Sequence, residues 1–294
     1  MRVVFRQRTA YVMAIVGRPG CADDLLSKRP VMQVAESRPT LPGYRPGRGG
    51  GAGMSQTRWT RYAARLGAVL VVAAGAAWLW AAVQRWWPEC RLDRYESMAC
   101  IRRQDHEVDY LWPTEPWVPI GSTALVAGLG CLLAALGLLL VVPSLTSRSV
   151  RGVVAVALVL QAGVLVPVGA ATYLSGRAGR PVEDVPALVP AGLLWALLLP
   201  VVLAFTVPLV IGRAVSRRQL TSLVALVVAL LLTSPLLDYV LMSMTYTSHD
   251  TPPWSGLFSG AALVVAGVAA WWVPEPAPSG GERDREGRVA GVAV

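Results

Sequence analysis

Charge is scarce in this sequence, and histidine scarcer. Only 15% of the 294 residues are Asp, Glu, Lys or Arg, and there are two histidines and four cysteines. A soluble domain of this length needs more polar surface than that, so a soluble enzyme or binding module is excluded. Lysine occurs once, at Lys28, and arginine supplies every other basic residue. That bias follows from GC-rich coding and points to a bacterial source. Also missing are HExxH, GxSxG and a Gly-rich phosphate loop, which removes the familiar metalloprotease, hydrolase and nucleotide-binding readings. No cofactor is implied.

What the chain has instead is hydrocarbon. Hydrophobic residues make up 54% of it, and mean hydropathy is +0.49. They come in long blocks over 66–83, 120–142, 152–174, 187–211, 220–242 and 256–273. Uncharged blocks of about 18 residues or more read as membrane helices, because about 20 residues at 1.5 Å rise cross the hydrocarbon core. Isolated strands are excluded there, since their backbone polar groups would go unpaired in lipid. The expected fold is therefore all-α: a polytopic helical membrane protein of six transmembrane helices.

The net charge of +9 does not point to nucleic acid, because its distribution follows the spans. With the N-terminus inside, Arg58, Arg61, Arg65, Arg148, Arg151, Arg213, Arg217 and Arg218 fall on inner segments. Of the seven outer basic residues, Arg85, Arg91, Arg94, Arg102 and Arg103 lie in the long first loop, diluted by acids, Arg177 and Arg180 lie in the second, and the loop after Met242 has none. Both termini are thus expected in the cytoplasm, and the protein in a bacterial plasma membrane. Trp59, Trp86, Trp87, Trp117, Trp254 and Trp271 mark block ends, at the headgroup level that such rings favour. Residues 1–57 and 274–294 read as disordered tails around a 58–273 membrane domain, the first of them basic. "MSQTRWTRYAARLGAV" from Met54 looks like a complete start in itself, so 1–53 is open to being a mis-assigned extension.

Within the blocks, polar groups are few. Gln161 sits mid-span in the third, and Asp238 near the outer end of the fifth, after Thr233, Ser234 and Pro235. Near an interface a carboxylate costs little, so Asp238 is expected to face water. Pro167, Pro200 and Pro208 are expected to kink their helices. Small residues at Gly256 and Gly260, and at Ala127, Cys131 and Ala135, allow close helix approach.

The outer loop, 84–119, carries the chemistry there is. Cys90 and Cys100 share it, and on an oxidising face such a pair is expected to form a disulfide. The other two thiols, Cys21 and Cys131, lie elsewhere, which excludes a four-cysteine zinc site. Both histidines fall on this side, with acids beside them: Asp105 and Asp109 near His106, and Asp250 next to His249. Convergence of these groups would make a metal or acid–base site with His106 and His249 as the metal ligands; an ordinary solvated loop is the competing reading.

The leading functional expectation is a non-enzymatic, permease-like subunit or membrane-complex partner in contact with lipid, with any ATPase on a separate chain. An outer-leaflet enzyme or metal-binding protein, and a small-solute transporter, are the alternatives. A transporter should show a polar cavity reaching Gln161; a scaffold should show a dry bundle.

Overall fold

The computed structural model describes residues 52–87, 89–91, 93–145, 149–211, 217–245 and 250–273. The tails and His249 lie outside them. The chain is all-helical, with no strand among the described residues.

Nine α-helices form the molecule. They are α1 (Ala52–Trp86), α2 (Met98–Arg103), α3 (Thr123–Val141), α4 (Ser149–Ala178), α5 (Leu188–Leu193), α6 (Leu199–Ile211), α7 (Arg217–Leu232), α8 (Pro235–Ser243) and α9 (Leu257–Trp271), counted among the described residues. Four stretches are long and apolar enough to cross a membrane: Arg58–Trp86, Thr123–Ser144, Gly152–Ala178 and Leu188–Ile211. A fifth is a broken pair, Leu220–Leu232 and Pro235–Ser243, bent by 76°. The sixth expected span is a helix of 15 residues. At 1.5 Å per residue that is about 22 Å, shorter than the hydrocarbon core. The structure thus holds four or five helices of spanning length where the sequence led us to expect six.

Two breaks have local causes. A residue before proline is driven out of helical conformation, and Ser234, before Pro235, is extended at φ −65°, ψ 130°. So α7 stops and α8 restarts with proline in its first turn. In the fourth stretch, a π-helical turn over Leu194–Leu198 joins α5 to α6. Pro200 has no N–H to give the Ala196 carbonyl, and the Ser234 hydroxyl donates to that carbonyl at 3.3 Å. One proline's lost bond is thus met at the other proline's break.

The helices pack as a ring in which α1 touches α3 and α9, α3 touches α4, and α9 touches α7, which touches α6. Small residues set these approaches. Ala127, Cys131 and Ala135 on α3 are all buried, as their spacing implies. A Cβ at Gly75 of α1 would stand 2.7 Å from the Gly260 carbonyl of α9. The Trp78 indole donates to the Ala127 carbonyl at 3.1 Å and ties α1 to α3.

The segment between α1 and α3 is folded. Cys90 and Cys100 are bonded, with S–S 2.00 Å, and both are buried. Ser97 caps α2 by accepting from the Cys100 N–H at 3.2 Å. The rest is laced to distant chain: the Thr251 N–H donates to the Gln104 carbonyl at 2.8 Å, and the Trp112 N–H to the Thr172 hydroxyl at 3.0 Å. Removing the disulfide as Cys90→Ser/Cys100→Ser frees a short loop in the unfolded chain. The chain-entropy model puts the resulting loss at about 2.5–3 kcal/mol, read as a lower unfolding midpoint for the double variant.

Candidate functional site

Arg85 is the least expected feature. Sequence reasoning assigned it to the exposed loop, since the apolar block ends at Val83. Helix α1 continues to Trp86, however, and carries the Arg85 side chain inside, 2% exposed. Its guanidinium lies 4.3 Å from the Trp86 ring centroid. One terminal nitrogen pairs with Asp109 in a close ion pair. The other donates to the carbonyls of Arg103 at 3.0 Å and Asp105 at 3.4 Å. Asp109 also accepts from the Thr251 hydroxyl at 3.2 Å. One arginine therefore gathers three parts of the outer segment.

Asp238 corrects the sequence reading. It was expected at a water-facing helix end, and it is buried, 4% exposed. The reason is α9. That helix is capped at its start by Gly256, held at φ +93°, a conformation glycine adopts without strain. Its N-terminal N–H groups have no intrahelical partner. Asp238 accepts from the Gly256 N–H in a short contact and from the Ser259 N–H at 3.3 Å. The carboxylate thus caps a neighbouring helix at the end where the helix dipole favours an anion.

These groups share a cavity of about 200 Å³. Trp78, Arg85, Asp109, Tyr110, Thr233 and Asp238 are among its lining residues. Burial pushes the Tyr110 phenol up, above the usual tyrosine range. Below Thr233 lies Gln161, fully buried near the middle of α4, whose amide donates to the Thr233 hydroxyl at 3.3 Å. Trp195 packs against Trp78, with ring centroids 5.7 Å apart. Three buried polar atoms lack a partner among the described residues: Arg85 Nε, Gln161 Oε1 and Trp195 Nε1. The first is on the cavity wall; Gln161 and Trp195 do not line the cavity and stand one residue behind it, against Thr233 and Trp78. Buried polar atoms are nearly always paired, so three around one cavity mark it out.

The histidine cluster is separate. His106 opens a 3₁₀ turn capped by Asp105. Its Nδ1 lies 3.1 Å from Asp105 Oδ1 and 3.2 Å from Asp250 Oδ2. One ligand atom each from Asp105, His106 and Asp250 fall within 4.8 Å of one another, all on exposed residues. Asp250 also accepts from the His106 backbone N–H at 2.9 Å, which pins the loop without any metal. Asp109 is engaged elsewhere, with Arg85. His249, the other candidate ligand, lies outside the described residues.

No family model matches this chain, and neither curated proteins nor solved structures give a match.

Proposed function

We propose that the chain is a permease-like membrane subunit that admits a small polar solute to the Arg85–Asp238 cavity from the extracytoplasmic side. On this reading it has six spans, with the broken pair and α9 as the last two. Both termini are cytoplasmic, the membrane is a bacterial plasma membrane, and any ATPase is a separate chain. The observation that carries the reading is the polar cavity itself. The Arg85–Asp109 pair and the Asp238 cap hold the fold, and they also leave an arginine, two carboxylates and a tyrosine facing one open space, which a bundle built only for packing would fill. Helices broken at depth, with freed backbone groups beside a polar site, are common where solutes pass.

The test is access. In a Cys21→Ser/Cys131→Ala background that keeps the Cys90–Cys100 bridge, Thr233→Cys reports from the cavity floor. Silver ion added outside intact cells is small enough to enter. We expect it to block later labelling of that thiol by maleimide in detergent. If Thr233→Cys stays unmodified while a cysteine at Thr114, exposed in the outer segment, reacts, the cavity is closed and the protein is a packing subunit.

The juxtaposition of Asp105, His106 and Asp250 favours a second reading, a metal site on the outer face. Titration of the purified chain with Zn²⁺ by calorimetry tests it. Saturable binding lost in His106→Ala supports that site, and no binding disposes of it.

A further inference from the structure

A second site stands at the opposite end of α1, independent of the cavity. The spanning stretch Arg58–Trp86 has 29 residues, about 43 Å at 1.5 Å each. That exceeds the hydrocarbon core, so one end must stand at headgroup level. There it carries Arg58, Arg61 and Arg65, all exposed. Spacings of three and four put the three on one side of the helix. Helix α1 contains no Asp or Glu from Ala52 to Trp86.

Beside this cationic stripe is a groove of about 530 Å³. Its mouth is aromatic: Trp59 is 75% exposed, Tyr62 66%, and Trp271 of α9 46%. The Arg65 guanidinium lies 5.5 Å from the Trp271 ring centroid. Away from the mouth the wall becomes apolar, with Leu66 and Val69 of α1 and Leu140 of α3. The groove therefore asks for two chemistries in sequence. A free anion would satisfy the arginines and leave the apolar wall uncovered. A hydrocarbon chain alone would do the reverse.

We propose that this groove binds an anionic phospholipid. Its phosphate and headgroup charge meet Arg58, Arg61 and Arg65, the indole and phenol of Trp59 and Tyr62 lie at ester level, and one acyl chain runs along Leu66, Val69 and Leu140. Basic clusters at the membrane surface attract anionic lipid with an increment for each arginine. Here the aromatic groove adds a fixed position for the chain.

Native mass spectrometry of the delipidated full-length protein tests this. Phosphatidylglycerol and phosphatidylcholine with identical acyl chains are titrated in parallel. We expect one phosphatidylglycerol per chain to be held about tenfold more tightly than phosphatidylcholine, and an R58Q/R61Q/R65Q variant to bring the two within about twofold. Equal affinity of the wild type for the two lipids overturns the site, and so does a triple variant that keeps the preference. The wild-type arm decides the matter even if the triple variant fails to insert. Neither arm reads the Arg85–Asp238 cavity.

Discussion

Asp109→Asn is expected to destabilise the protein by about 3 kcal/mol, and adding Arg85→Met to recover part of that loss. The asymmetry follows from burial. The Arg85 side chain is 2% exposed, whereas a third of the Asp109 side chain, 34%, meets solvent. Removing the carboxylate charge leaves a guanidinium inside the protein with only neutral acceptors, the Arg103 and Asp105 carbonyls and the amide oxygen of the substituted side chain. Breaking a buried pair from one side costs about 3–5 kcal/mol, mostly as the uncompensated ion, and solvent at Asp109 places this pair at the lower end. Arg85→Met alone removes the buried ion itself. It leaves a carboxylate that water can reach, and it costs about 1–2 kcal/mol for the lost hydrogen bonds. The double variant should be more stable than Asp109→Asn, a non-additivity typical of residues in contact. Unfolding midpoints of the three proteins in one detergent measure it. A double variant as unstable as the sum of the two singles would mean that the two side chains act separately.

The pair also shows what sequence could and could not convey. Helices of membrane length were legible, because lipid leaves the backbone no alternative and hydropathy records their extent. The cysteine pair was legible from compartment and spacing. Arg85 was not. A charge just past an apolar block reads as the start of a loop, and only the further turn of α1 to Trp86 takes it inside. Asp238 was missed for a related reason. Its neighbours Thr233, Ser234 and Pro235 were in view, but as an ordinary interfacial end. The extended Ser234 bends α8 by 76° from α7, and that turns the carboxylate towards Gly256. The partner is eighteen residues away, with nothing periodic to announce it. His106 and Asp250 are further apart, at 144 residues, and their meeting was open until the fold closed it. Elements set by local chemistry were readable, and groups paired across the fold were not.

Gly128→Val should be among the most damaging single changes in the bundle. At Gly128 an added Cβ would sit 2.3 Å from the Tyr173 backbone nitrogen and 2.6 Å from its Cα. Those are main-chain atoms of α4, so no rotamer change relieves the overlap. The helices α3 and α4 must move apart, and every contact along their seam loosens with them. Membrane helices associate through such packing, without a hydrophobic drive to restore it. The cost is expected at the top of the range for over-packed cores, at least about 3 kcal/mol, and Gly128→Ala should already carry a good part of it. Gly163 is the control. It lies on α4 as well, yet nothing stands within 4 Å of the position its Cβ would take. Gly163→Ala should be neutral or stabilising by about 0.4–1 kcal/mol, because alanine restricts the unfolded chain and favours helix. Tryptophan fluorescence during thermal unfolding in one detergent, with size-exclusion chromatography for integrity, reads both. If Gly128→Val melts with Gly163→Ala, α3 and α4 do not cross at this glycine. If only Gly128→Val falls, helix contact rather than glycine content sets the stability of the bundle, and with it the position of Gln161 behind Thr233 on the cavity wall.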